Sequence, residues 1–295
     1  MVYIRAVCGL LFLIIFTGIF IYELFIRSKP PWWQGQLAFE DNFNGGYLNF
    51  DNWDYAADYS VLPNEKKKIT YYSNALNDNI QVYGGTLQLS VSENSQPPPG
   101  HVLRSVQIHQ KTRGFIHGAF AVRARFSPNR YLASTIRLVQ TNACFHNQIT
   151  IVRRPAEALS NKTSLNNLIF GAHLNLKDKH LANYSTKIVK NVGFSTSNFD
   201  LNEDYHDYGV LWTKDKLQWF FDGEQYYEMA LDRKEWKISG SEHSSCFNSS
   251  AIFQTPMTFV VDLDVYPGFQ NVNHTGPVQG LSIDWVRVYQ QPKSR

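Results

Sequence analysis

Apolar and polar residues alternate in short runs along most of this chain. The segment GAFAVRARF at 118–126 shows it most cleanly. Phe120, Val122, Ala124 and Phe126 fall on one face of an extended strand, and Arg123 and Arg125 on the other. TLQLSV (86–91), MTFVVDLDVY (257–266) and LSIDWVRVYQ (281–290) read as further strands. In KLQWFFDGEQYYEM (216–229), Asp222-Gly223 lies between two aromatic runs. That dipeptide predicts a hairpin, because a two-residue turn needs positive φ at both positions. HNQITIVRRP (146–155) reads as a buried strand, with Ile149 and Ile151 on one face and Gln148, Thr150 and Val152 on the other. PPPG (97–100) marks a loop. Helical periodicity is absent beyond the first residues, and no internal repeat is present. Many short strands separated by Pro/Gly turns over roughly 250 residues predict one all-β domain, a two-sheet antiparallel sandwich.

The N-terminus breaks this pattern. VCGLLFLIIFTGIFIY (7–22) is an unbroken apolar run, and LFI extends it after Glu23. A membrane-spanning helix needs about 17–25 residues. A cleaved signal has a shorter apolar region and a small-x-small site, and no such site precedes RSKPPWW. The expected organisation is a transmembrane anchor over 1–26, a stalk over 27–36 and the β domain over 37–291. A cleaved signal and a secreted domain are the alternative. Arg5 on one flank, against Arg27 and Lys29 offset by Glu23 on the other, does not set the orientation. Four glycosylation sequons do bear on it. They begin at Asn161, Asn183, Asn248 and Asn273. Together they predict a single-pass type II protein whose C-terminal domain is luminal or extracellular.

Composition narrows the function classes. With 43% hydrophobic and 18% charged residues the chain is globular rather than disordered. A net charge of +3 gives no footing for nucleic-acid binding. Aromatics, at 15%, suit both strand cores and sugar-stacking surfaces. Of three cysteines, Cys8 lies in the apolar run. Cys144 and Cys246 pair in an oxidising compartment or remain two separate buried thiols. No set of His, Cys, Asp and Glu has zinc-like spacing, and neither a phosphate-binding loop nor a Gly-x-Ser-x-Gly elbow occurs.

Six segments, in order, carry a family resemblance: FEDNFNGG, FDNWDY, ITYYSNALNDNIQVYGGTLQLSV, KTRGFIHGAFAVRARF, DYHDYGVLWTKDKLQWFFDGEQYY and IDWVRVYQ. From about Leu37 to Gln290 the chain resembles glycoside hydrolase family 16, the β-1,3-glucanase or laminarinase-like group. The resemblance implies a jelly roll with a concave, glycan-sized cleft, and a polysaccharide as ligand. It also implies a catalytic strand reading Glu-x-Asp-x-x-Glu. Such chemistry needs two carboxyl groups flanking one glycosidic bond, about 5–5.5 Å apart in a retaining enzyme. Strand alternation sets the first two on one face, and a bulge returns the third to it.

In this chain the motif falls on QITIVR. Gln148 and Arg153 stand where the two Glu residues are expected, and Thr150 where the Asp is. An amide is a poor nucleophile, and a guanidinium stays protonated at working pH, so it is no general base. Between Ser127 and Phe199 the carboxylates are Glu157 and Asp178 alone, which cannot form the constellation. The family's cleft segment Trp-Pro-x-x-Trp falls on ASTIR, with Ala133 and Arg137 in place of the aromatics. The expectation is therefore a catalytically inactive, membrane-anchored recognition protein, similar in character to the β-1,3-glucan recognition proteins of arthropods. Tyr131, Arg137, Gln148, Thr150, Arg153, Asp262 and Asp264 are its candidate binding residues. Asp262 and Asp264, at i and i+2 on a strand bordering the cleft, are also the candidates for relocated catalysis. A domain serving protein contact without a glycan is the third reading. The family's calcium position implies Asn42 and Asp284 as ligands, though the first is no longer a carboxylate; otherwise no cofactor is expected. His206 is expected to be structural. The family fold also implies that the loop holding Cys246 runs beside the cleft strands, near Cys144.

Overall fold

The computed structural model describes residues 35–55, 70–72, 79–93, 103–111, 113–140, 147–156, 167–175, 187–195, 201–231, 253–266, 269 and 276–290. Among these, the chain forms two sheets facing each other across a hydrophobic core. The ten-stranded sheet holds β1 (Gln36–Asp41), β3 (Thr70–Tyr72), β4 (Ile80–Tyr83), β5 (Thr86–Glu93), β6 (Leu103–Ser105), β8 (Gly118–Phe126), β13 (His206–Trp212), β14 (Lys216–Phe221), β15 (Glu224–Ala230) and β17 (Val278–Gln290). The seven-stranded sheet holds β2 (Trp53–Tyr55), β7 (Gln107–Gln110), β9 (Leu132–Val139), β10 (Gln148–Arg154), β11 (Asn167–Asn175), β12 (Lys187–Ser195) and β16 (Thr258–Val265). Its order is β12-β11-β10-β9-β16-β7-β2, so β9 lies at the centre with β10 and β16 on either side.

Alternation decides which side chains meet. In β8, Phe120, Val122, Ala124 and Phe126 enter the core, as their period predicts. In β16, Phe259, Val261, Leu263 and Val265 do the same, which leaves Val260, Asp262 and Asp264 on the sheet's outer face. The long strand β17 is the spine of the larger sheet and pairs with β8, β5 and β1. Gly118 begins β8 with φ 129, and a Cβ there would stand 2.4 Å from the Tyr289 carbonyl of β17. Only glycine allows that approach.

Two polar devices fix the ends. Asp222 and Gly223 adopt φ 46 and 86, the two-positive-φ turn expected between β14 and β15. The Asp222 carboxylate accepts from the Asp207 amide at 2.9 Å and lies 2.7 Å from His206 Nδ1. His206 is buried and stacks on Phe221 at 5.1 Å, so it ties the turn to β13. At the other end, Asp41 accepts from Trp53 Nε1 at 2.8 Å and from the Phe43 amide at 2.9 Å. The FEDNFNGG and FDNWDY segments are thereby joined.

The structure departs from the strand pattern at one place that matters. Val152 does not share a face with Gln148 and Thr150. The register of β10 against β9 shifts between Thr150 and Val152, and Val152 enters the core with Ile149 and Ile151. A bulge of one extra residue inverts the alternation beyond it. The domain also opens one residue early, since Gln36 already pairs with Gln290. The anchor segment 1–26, most of the stalk, Cys144, Cys246 and all four sequon asparagines lie outside the described residues. Among the described residues no helix is long and apolar enough to cross a membrane.

Candidate functional site

The outer face of the seven-stranded sheet gathers most of the residues singled out from sequence. On β10, Gln148 and Thr150 share this face, and the bulge delivers Arg153 to it as well. Cross-strand register sets Thr150 opposite Arg137 and Arg153 opposite Thr135 on β9. Arg137 is in turn opposite Val260, and Thr135 opposite Asp262, on β16. The bulge thus sets an amide, a hydroxyl and a guanidinium on one face.

These side chains form a connected network. Arg137 Nη2 lies 2.8 Å from Asp262 Oδ2, and Arg137 Nη1 donates to Gln148 Oε1 at 3.2 Å. Asp262 is 2% exposed, so its charge is withdrawn from water and met by the guanidinium. Arg153 Nη2 donates to the Tyr266 hydroxyl at 3.2 Å. Asp264 lies on the same face and is buried. Ala133, Ala156 and Tyr266 make a small apolar cluster apart from the main core. Ala133 lies opposite Asp264 on β16. From beneath, Trp219 Nε1 on β14 donates to the Thr150 carbonyl at 2.9 Å, a buried bond linking the two sheets at the bulge.

Tyr131 meets this network through its backbone alone, its carbonyl accepting from the Tyr266 amide at 3.0 Å. It precedes β9, and its half-buried ring packs against the main core, with the Arg130 guanidinium 5.7 Å from the ring centroid. Register places three further residues in the floor that sequence reasoning missed. His109 lies opposite Val260 and Gln107 opposite Asp262 on β7, and His173 lies opposite Gln148 on β11. A four-residue strand such as QIHQ is too short to declare its own period. Arg154 was missed too. The bulge turns it away from Arg153, and at 2% exposure it donates to the Asn129 carbonyl at 3.1 Å.

The positions implied for calcium lie on the ten-stranded sheet. Asp284 sits 3.3 Å from Arg123, which also meets Asp207 at 2.8 Å. Asn42 accepts from Arg287 at 3.3 Å, and Arg287 pairs with Glu40 at 2.8 Å. The oxygens of both positions are engaged by guanidinium groups. Burial pushes the carboxyls of Asp207 and Asp284 above their usual range, with Arg123 opposing it at both. Among the described residues no cluster of three or more His, Cys, Asp and Glu could hold a metal ion.

Fold and floor together define a β-sandwich of the glucanase type. The family model for glycosyl hydrolases family 16 matches residues 174–286. A β-glucanase of Rhodothermus marinus is 23% identical over 269 residues, covering 89% of this chain and 87% of that protein. Among solved structures, the laminarinase catalytic domain of Thermotoga maritima superposes with a TM-score of 0.66 at 17% identity, over 88% of this chain and 100% of that one. A LamA variant from Z. galactanivorans, in complex with laminaritriose and laminaritetraose, gives 0.62 at 18% identity, over 86% and 99%. The chain is thus similar to glycosyl hydrolases family 16 over residues 174–286 and shares the fold of the solved laminarinases.

Proposed function

We propose that this chain is a glycan-binding protein built on a glucanase fold whose catalytic strand has lost its chemistry. Residues 1–26 display it on a membrane with the domain luminal or extracellular. One observation carries the loss of chemistry: Gln148, Thr150 and Arg153 stand together on the outer face of β10, where hydrolysis needs carboxylates. Nothing in that set can attack an anomeric carbon, or stabilise an oxocarbenium ion by charge. Binding is supported by the surface itself, a row of polar groups beside the Ala133–Ala156–Tyr266 cluster, which suits the polar rim and carbon face of a sugar ring. The laminari-oligosaccharide complex of the Z. galactanivorans relative points to β-1,3-glucan-type chains as the ligands to try first.

The test is incubation of the full-length protein with laminarin, lichenan and xyloglucan. The expected result is no reducing sugar above a buffer control, together with measurable retention of the protein on at least one glycan. A second reading, relocated catalysis, draws on Asp262 and Asp264, two buried carboxylates on the same face. Turnover that disappears in Asp262→Asn or Asp264→Asn would establish that reading and overturn ours. Absence of binding to any glycan would leave the face as a surface for protein contact.

A further inference from the structure

We propose that the outer face takes an acidic glycan, and that Arg153 receives its carboxylate or sulfate group. This rests on the glycan-binding reading above and narrows its ligand. Two guanidinium groups stand on this floor, and their situations differ. Arg137 is matched internally by Asp262 at 2.8 Å and by the Gln148 amide oxygen. Arg153 has a single polar partner among the described residues, the neutral hydroxyl of Tyr266 at 3.2 Å. Its Nε is buried and makes no hydrogen bond. Of the nearby carboxylates, Asp262 meets Arg137 at 2.8 Å.

A half-buried guanidinium without a counter-charge is costly in a folded protein. An anion arriving from outside supplies that counter-charge. The planar fork of arginine matches two oxygens of a carboxylate or a sulfate ester at once, which a neutral hydroxyl cannot do. The immediate surroundings fit such a group on a sugar. Thr135 lies directly opposite Arg153, on the same face. Ala133, Ala156 and Tyr266 offer an apolar wall for the ring carbons. The position at which a glucanase requires negative charge thus carries a guanidinium whose one polar partner among the described residues is a neutral hydroxyl.

The test uses the full-length protein and three ligands on one backbone: laminarihexaose, its sulfated form, and its form oxidised at C6 to carboxylates. Affinities are measured at low and high salt. At low salt one anionic form binds about tenfold or more tightly than the neutral parent, and the advantage shrinks as salt rises. Comparing the two anionic forms tells carboxylate from sulfate. Arg153→Met abolishes the advantage, and Arg153→Lys restores only part of it, because an ammonium lacks the fork. Arg125→Met, which removes the same charge from the other sheet beside Tyr205, leaves the advantage intact. Circular dichroism confirms that each variant is folded. Equal affinity for neutral and anionic forms overturns the proposal while leaving glycan binding in place. So does an advantage that survives in folded Arg153→Met, or one lost equally in Arg125→Met. Failure of all three forms to bind overturns this proposal alone if the protein is still retained on another glycan, and removes the glycan-binding reading with it if it is retained on none.

Discussion

Asp41 shows how a residue with no role in the floor still governs the domain. Its carboxylate satisfies the indole N–H of Trp53, which is fully buried, and the amide of Phe43, which sits at φ 48. Asp41→Ala strands both donors. Leaving a buried donor unmade costs about 1–3 kcal/mol, and in a domain of this size each kcal/mol moves the thermal midpoint by roughly 2–4 °C. A drop of several degrees is expected by calorimetry. Asp41→Asn keeps one acceptor oxygen and should lose less. The floor residues follow a different logic. Thr150, Arg137 and Arg153 are legible as candidate residues of one face, because spacing along a strand is a local property. That Arg137 would be matched by Asp262 and Arg153 left with Tyr266 was not legible, since these pairs join residues more than a hundred positions apart.

At the scale of the element, the bulge in β10 is decisive. A strict two-residue period would place Arg153 in the core and Val152 on the floor. One extra residue between Thr150 and Val152 reverses both. The Trp219 bond to the Thr150 carbonyl anchors this irregularity to the opposite sheet. Trp219→Phe keeps a ring but removes the donor and leaves a small void. A loss of about 2–3 kcal/mol is expected from the two terms together. Hydrogen exchange should rise selectively in residues 148–154 and leave the β8–β17 pairing protected. Uniform loosening of both regions, or none, would mean that the bulge is held by other contacts. The hairpin at Asp222-Gly223 is the opposite case. Its turn chemistry is written in two adjacent residues, and the structure matches the expectation at both positions.

At the scale of the whole molecule, the proposed function is display of the β-sandwich by the apolar N-terminal segment 7–22. A luminal or extracellular domain exposes Asn161, Asn183, Asn248 and Asn273 to the glycosylation machinery. Enzymatic deglycosylation of the chain expressed in animal cells should then lower its apparent mass. An unchanged mass, with the domain labelled by a cytosolic reagent, would reverse the orientation. Non-reducing peptide mapping of the same material tests the proposed pairing of Cys144 with Cys246. Closing a loop of about 100 residues is worth at most 4–5 kcal/mol in the chain-entropy account.

The sequence by itself determined the strand content, the inward faces of β8 and β16 and the turn at Asp222-Gly223. All of these depend on neighbours one to five residues apart, where backbone geometry alone fixes the outcome. Only the tertiary structure decided that Arg137 meets Asp262 while Arg153 meets the Tyr266 hydroxyl. It also decided that His109, Gln107 and His173 join the floor, that Tyr131 packs on the core, and that guanidinium groups engage Asn42 and Asp284. These outcomes depend on which strands lie side by side and in what register. Register is set by the packing of two whole sheets, so no single segment carries it.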